Sequence, residues 1–528
     1  MIIDFVDDAH ESFVADLPPK AENAVGKNDQ FFHQPKVLKL IEHYEKQYDF
    51  ARTGMTSWVG NSVTAYLTTE QIEKISEDSA VRSVSENEAV TPSGAPPYYD
   101  FNSGVATFSW GTVAVGAHSK VPGSTRRVYV IDSGVATHSN LPSVLSPRRN
   151  VACGGTNAGA AMTGDCGSTW QPYENYPGVG CYAHATHVAG IIGGVGTTGA
   201  TYGVYGGVNL VSVGINASRF QYKYGTSSPD GAVSPEGFSL GWCASDDSSA
   251  EKIGYGLDFA YWDTAYNGGG TVTITNISMN PGKMGWANSS SGDWSAEANN
   301  PKVRKLATPG TFQNSSGGWS DYPGSFVAQS AGNYQRSSCS RLGYYGANGL
   351  WVSPGADAYN PPVGYVPGGA PPNWAADYYD GIMVVGALRS DGQAATTFSN
   401  SIPAGLGGGG TNFGSCIDIW APGDRIVSSW GRNDVLWQNG VSEPTRQLAN
   451  TTVSGSYSGY VGSTSQGWMY LSGTSMAAPH VAGVAAYLAD TYNLTTPAAI
   501  EAKIRAISVR YNNATDGLGY PIFTVQSQ

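Results

Sequence analysis

Six short apolar runs beyond residue 98 constrain the fold more than any other feature: VYVI (128–131), VNLVSVGI (208–215), TVTITNISM (271–279), SFVAQSA (325–331), IMVVGAL (382–388) and CIDIW (416–420). Their length and composition are those of strands buried on both faces. Helical stretches such as THVAGIIGG (186–194) and EKIGYGLDFAYWDTAYN (251–267) lie between some of them. Alternation of this kind predicts an α/β domain, a parallel sheet with helices on both faces. Such sheets place their sites at the carboxyl ends of the strands, so the residues that close each run are the ones to inspect.

A different unit precedes this domain. KVLKLIEHYEKQY (36–48) has the spacing of an amphipathic helix. The stretch 62–90 reads strand, helix, strand, with Thr68 or Thr69 as the N-cap. TPSGAPPYYD (91–100) then reads as a Pro- and Gly-rich linker. The expected division is residues 1–92 and 93–528. Charge supports it: residues 1–90 hold 16 Asp and Glu against 8 Lys and Arg, whereas the remainder holds 25 against 21. The net charge of −12 and the lack of a basic patch argue against nucleic acid as a partner. No run of 18 apolar residues argues for a membrane span. The stretches 216–250, 283–322, 334–378 and 426–466 lack clear periodicity and read as surface insertions.

The six cysteines, Cys153, Cys166, Cys181, Cys243, Cys339 and Cys416, all lie beyond residue 150. An even count confined to one region fits three disulfides in an oxidising compartment and hence a secreted protein. MIIDFVDDAH lacks the basic start and long apolar stretch of a signal peptide, so an export signal is read as already removed.

Four segments carry the chemistry. LSGTSMAAPHVAGVAAY (471–487) sets Ser475 where a loop turns into a helix of small residues, with Pro479 expected in the first turn. Peptide dipoles there favour developing negative charge, which suits a nucleophile; an N-cap serine reads the same way. A serine needs a base, and His184 stands in another small-residue helix start, CYAHATHVAGIIGG. A base needs a carboxylate to hold its tautomer, and Asp132 closes the run RRVYVID. An acid closing an apolar strand is costly unless something uses it; the alternative is a loop cap. VAQSAGN (327–333) ends in Asn333, whose side-chain amide could stabilise an oxyanion or serve an ordinary turn.

Taken together, VIDSGV, HATHVAG, AGN and GTSMAAPHVAG, in the order Asp132, His184, Asn333, Ser475, resemble the subtilisin-like serine proteases. Ala185 departs from the family's usual Gly. The resemblance covers most of residues 98–528 and implies a subtilisin-like fold and a serine endopeptidase of broad specificity acting through an acyl-enzyme. It implies that His184 is the base and His187 a structural residue. It places the substrate-binding walls at Ser278-Met279-Asn280 and Ser330-Ala331-Gly332, with Asn280 departing from the usual Gly. Finer matches point to the proteinase K branch and imply the pairings Cys181–Cys243 and Cys339–Cys416, leaving Cys153–Cys166.

Residues 1–92 resemble, more weakly, the family's inhibitory propeptide, a small ferredoxin-like α+β domain that assists folding and then occupies the cleft. The implied partners are therefore protein and peptide substrates and the chain's own propeptide, in a monomeric zymogen cut between about Val90 and Tyr98. No cofactor is expected for the chemistry. Structural calcium is common in the family, and Asp418 lies where some relatives supply a ligand; a hydrogen-bonding Asp is the alternative. Because His184 must be neutral to act as base, activity is expected to fall below about pH 6–7. Two rivals from other classes are weaker. GTSMA lacks the second Gly of the esterase motif GxSxG, and GGVGTTG (193–199) is not followed by the GK[ST] of a phosphate loop. A catalytically dead binding protein of the same fold would not need all four functional residues.

Overall fold

The computed structural model describes residues 1–6, 8–10, 34–85, 90–92, 109–135, 138, 140–145, 149–150, 181–195, 202–215, 238–240, 250–281, 301–313, 318–333, 335, 344–345, 351–352, 379–398, 410–414, 417–430, 435–438, 447–448, 467–515 and 521–527. The insertions 216–250, 334–378 and 426–466 fall largely outside them, as do Cys153, Cys166, Cys243, Cys339, Cys416 and the side chain of Cys181. No helix among the described residues is long and apolar enough to cross a membrane.

The N-terminal unit runs strand Ile2–Phe5, helix Pro35–Tyr48, strands Arg52–Thr56 and Ser62–Ala65, helix Thr69–Ser76 and strand Val81–Ser85. Ile2–Phe5 lies between Ser62–Ala65 and Val81–Ser85, with Arg52–Thr56 on the outer edge, all pairs antiparallel. This order and direction is the ferredoxin-like arrangement. The helix Thr69–Ser76 starts where its sequence says it should. The Thr68 side chain accepts from the Gln71 N–H while the Gln71 side chain accepts from the Thr68 N–H, a reciprocal cap. Ile3, Phe5, Leu40, Ile41 and Val63 fill a core of the unit's own.

The larger unit is built on a nine-stranded sheet. Its spatial order is Val509–Thr515, Pro521–Thr524, Ile419–Pro422, Ile382–Leu388, Ser325–Ser330, Thr273–Ile277, Arg127–Asp132, Asn209–Gly214 and Arg149–Asn150. All neighbours are parallel except the outermost pair, Val509–Thr515 and Pro521–Thr524. Side chains alternate across the sheet as strand geometry requires. Val128 and Val130 face a core shared with helices Cys181–Gly193 and Thr474–Thr491. Tyr129 and Ile131 face the other way, into a core shared with helices Ala250–Asn267 and Pro301–Ala307. Helices on both faces leave every central strand buried, which is why the runs are rich in apolar and small residues on both faces.

Three expectations about boundaries are corrected. The stretch 426–466, read as a surface insertion, opens with strand Ile426–Trp430, which pairs antiparallel with Gly467–Leu471 and buries Ile426, Ser428 and Ser429. In CIDIW the strand begins only at Ile419 and runs to Pro422. The stretch 283–322, read as an insertion without periodicity, contains helix Pro301–Ala307 and an antiparallel pair, Gly310–Gln313 with Trp319–Tyr322. A helix of seven residues makes two turns, too few for an apolar period to stand out in the sequence.

The two units meet across helix Ala250–Asn267. Trp58 and Val59 leave the N-terminal sheet and join the second core of the larger unit, where the Trp58 ring stacks near Tyr261. A second meeting point lies beyond the sheet, where Val90–Pro92 pairs antiparallel with Met279–Pro281.

Candidate active site

The chain lays down Arg127–Asp132, adds Asn209–Gly214 on one side of it and then Thr273–Ile277 on the other. The direction of strand addition therefore reverses at Arg127–Asp132, which opens a crevice at the carboxyl ends of these strands. Asp132 closes the central strand there and is fully buried. Gly134, at φ +97°, turns the backbone away immediately afterwards.

His184 stands in the first turn of helix Cys181–Gly193. Its Nδ1 lies 2.9 Å from each oxygen of Asp132. The carboxylate is itself fixed by the Ser133 N–H at 2.6 Å, and the Ser133 hydroxyl accepts from the Ala185 N–H, tying strand to helix. The Ala185 methyl is fully buried and leaves the His184–Asp132 contact intact. His187 is buried farther along the same helix, with Nε2 bonded to the Ile426 carbonyl.

Ser475 is the second residue of helix Thr474–Thr491, whose amino end is bonded to Asn333 and Ser278, just beyond the ends of two strands of the sheet. Pro479 lies in the second turn of this helix, not in the first as the sequence suggested. The Ser475 hydroxyl donates to the Ser278 carbonyl at 2.9 Å. His184 Nε2 is buried and has no hydrogen-bond partner. Thus the structure joins Asp132 to His184 and Ser475 to Ser278, without a hydrogen bond between His184 and Ser475.

The Asn333 side chain is oriented by the helix that carries Ser475. Its Oδ1 accepts from the Thr474 N–H at 2.8 Å and from the Thr474 hydroxyl at 2.9 Å. A backbone N–H can only donate, so the amide oxygen faces Thr474 and the amide NH2 faces away from it. Thr474 also accepts from the Gly332 N–H, pinning the turn in which Gly332 holds φ +97°. Asn412 fastens the same wall, donating to the Ala331 carbonyl through its side chain and to the Gly332 carbonyl through its backbone.

Of the expected substrate walls, Ser278, Met279, Ser330 and Ala331 are buried at the ends of adjacent strands. Met279-Asn280-Pro281 pairs with Pro92, Thr91 and Val90 in antiparallel register. Sequence reasoning assigned no role to Thr474 and Ser133, which lie inside GTSMAAPHVAG and VIDSGV, because nothing in the local pattern tells a hydrogen-bonding strut from a loop residue.

Asp418 is hydrogen-bonded at both oxygens, one receiving the Arg505 guanidinium at 2.7 Å and the other the Val384 N–H at 2.8 Å. Among the described residues no group of three or more His, Cys, Asp or Glu side chains is placed to hold a metal.

Residues 123–520 match the sequence profile of the subtilase family, about three quarters of the chain. The chain belongs to the subtilase family. Among its relatives, "Subtilisin-like protease 2" of Pseudogymnoascus destructans is 31% identical over 142 residues, 25% of this chain and 28% of that protein. "Alkaline extracellular protease" of Yarrowia lipolytica is 33% identical over 125 residues, 24% of this chain and 19% of that protein. The match thus spans between about a fifth and somewhat over a quarter of these relatives' own length. A cold-adapted subtilisin-like serine proteinase of known structure is 20% identical, with 80% of this chain and 99% of that one aligned at a TM-score of 0.38.

Proposed function

We propose that this subtilase is a secreted serine endopeptidase of broad specificity, made as a zymogen whose residues 1–92 block its own cleft. The observation that carries the reading is the pairing of Val90–Pro92 with Met279–Pro281. An extended segment of the chain lies as an added strand on the backbone that leads out of Ser278, one residue from the carbonyl that receives the Ser475 hydroxyl. A substrate peptide recognised through main-chain hydrogen bonds would lie in the same way, which favours broad sequence tolerance. The extracellular relative supports the assignment to a secreted enzyme.

In this reading the Ser475 hydroxyl leaves the Ser278 carbonyl and turns to His184 Nε2, the nitrogen left open by the Asp132 contact. Ser475 Oγ then attacks the peptide carbonyl while His184 takes the proton, and Asp132 stabilises the cationic ring. The Asn333 amide and the Ser475 N–H receive the oxyanion. His184 returns the proton to the leaving amine, and water releases the acyl group by the same steps in reverse order.

The test is Ser475→Ala in the full chain, with peptide hydrolysis and the mass and N-terminus of the product as readouts. Wild-type protein is expected to hydrolyse peptides and to mature to a chain beginning between about Val90 and Tyr98. The variant is expected to remain full length and inactive. Equal hydrolysis by both proteins would overturn the reading, and an active wild-type enzyme that still begins at Met1 would overturn the zymogen part.

A further inference from the structure

In an α-helix the carbonyl of each residue receives the N–H four residues on. For Ser475 that residue is Pro479, which has no N–H. The carbonyl of the residue read above as the nucleophile is therefore denied its helical donor. Ser278 lies within reach: its hydroxyl donates to the Ser475 carbonyl at 3.0 Å. The direction of this bond is fixed, because the Ser278 Oγ already accepts the Asn276 side-chain amide at 2.9 Å and the Ser475 oxygen can only accept. Ser278, Ser475 and Asn276 are all fully buried in the full chain, so the donor that replaces the missing N–H comes from the protein itself. The same residue closes the loop from the other side, since its carbonyl receives the Ser475 hydroxyl.

We infer that the Ser278 hydroxyl stands in for the helical N–H that Pro479 lacks, and that Ser278 is thereby a positioning residue for the Ser475 nucleophile. The inference rests on the endopeptidase reading. Its physical content is that one residue binds both ends of Ser475, its backbone carbonyl and its reactive hydroxyl, and also immediately precedes the strand Met279–Pro281 on which an extended peptide lies. The relay Asn276 to Ser278 to Ser475 couples the Thr273–Ile277 strand to the amino end of the helix. Without the Ser278 hydroxyl, the Ser475 carbonyl loses its buried donor, and the Ser475–Met476 peptide plane is free to tilt about the Cα that carries the reactive side chain.

The experiment is a double-mutant cycle of Ser278→Ala and Pro479→Ala, read as kcat and KM on a peptide substrate. Ser278→Ala is expected to lower kcat by about 10- to 100-fold, the scale of a misplacement under an ångström or so, with KM changed less than about threefold. Pro479→Ala restores a helical N–H opposite the Ser475 carbonyl, so in that background Ser278→Ala should cost less than about threefold in kcat. A merely structural role for the serine would not be rescued by a proline substitution on another element. The same cycle read as the first-order rate of self-cleavage of the full chain serves where a variant does not accumulate as mature enzyme. An equal cost in both backgrounds, failure to fold in both included, overturns the inference; recovery in the Pro479→Ala background supports it. Wild-type protein without peptide hydrolysis would instead sink the endopeptidase reading, so the two failures are distinguishable.

Discussion

The backbone N–H of Trp58 donates to the Asp258 carboxylate at 2.6 Å, joining residues 200 positions apart in the chain. Ser57 and Val59 donate to the same carboxylate, so three successive N–H groups of the N-terminal unit close on one fully buried acid of the larger unit. Each buried N–H left without an acceptor costs about 1–3 kcal/mol. Replacing Asp258 by Ala should therefore weaken the hold of the N-terminal unit at least about tenfold and hasten the appearance of activity after self-cleavage. The check is inhibition of mature enzyme by separately produced residues 1–92, with Asp258→Ala and wild-type enzyme compared. Equal inhibition constants would remove Asp258 from the docking account.

The same contact sets a pH dependence. Burial pushes the Asp258 carboxyl up to about 7, against the N–H groups of Val59, Ser57 and Trp58 and the Lys302 charge, which pull it down. A free aspartate titrates near 4, so folding of the full chain takes up a proton between the two values. This contribution to the stability of the full chain is fully present below about pH 4 and is lost as the pH rises through about 7. The full chain carrying Ser475→Ala should lose stability between pH 6 and pH 8.5 by this route, and adding Asp258→Ala should flatten the difference. Urea unfolding at the two pH values measures it.

Asp132→Asn should lower kcat by about 10⁴-fold, the loss seen for this change in the Ser-His-Asp template, with little change in fold. The Ser133 N–H still needs an oxygen, so the new amide would turn its NH2 toward His184 Nδ1. That forces the ring proton onto Nε2, where the base must be free to accept. Pre-steady-state kinetics and a crystal structure of the variant would show the loss without displacement of His184.

Thr474→Val tests how Asn333 is held. The substitution keeps the shape but removes the hydroxyl that bridges the Gly332 N–H and Asn333 Oδ1. It should cost a smaller factor in kcat than Asn333→Ala, for which about 10²- to 10³-fold is expected from loss of one oxyanion donor. A Thr474→Val loss equal to or greater than that of Asn333→Ala would mean that Thr474 does more than aim the amide.

Thr68→Ala removes the reciprocal cap of helix Thr69–Ser76 and should destabilise the isolated N-terminal unit by about 1 kcal/mol. Urea unfolding of residues 1–92 reads this directly, and an unchanged midpoint would show that the cap contributes nothing.

Much of the fold was legible in the sequence because burial on both faces leaves a local trace. Each of the runs around Val128, Leu210, Ile274, Phe326 and Met383 is rich in apolar and β-branched residues, and each is a strand of the central sheet. The start of helix Thr69–Ser76 was legible to within a residue, as an N-cap at Thr68 or Thr69; the structure places it at Thr68 and adds the reciprocal bond to Gln71. What was not legible was what depends on short elements or on partners far away. Ile2–Phe5 and Arg52–Thr56 are brief strands whose place comes from pairing across the N-terminal sheet. Asp258 reads as a stray acid in an apolar helix until Ser57–Val59 is seen to close on it.

The sequence by itself determined the family, the parallel sheet and the four residues from which a serine peptidase would be built, because these are carried by side-chain types at fixed local spacing. Only the tertiary structure decided how those residues are coupled: both Asp132 oxygens to the one nitrogen His184 Nδ1, Asn333 to the threonine before Ser475, and Ser475 to Ser278 in place of the donor that Pro479 lacks. The physical reason is that a hydrogen bond reaches about 3 Å in space whatever the separation along the chain, so the partners of a buried polar group are set by which strand ends and helix termini the fold brings together.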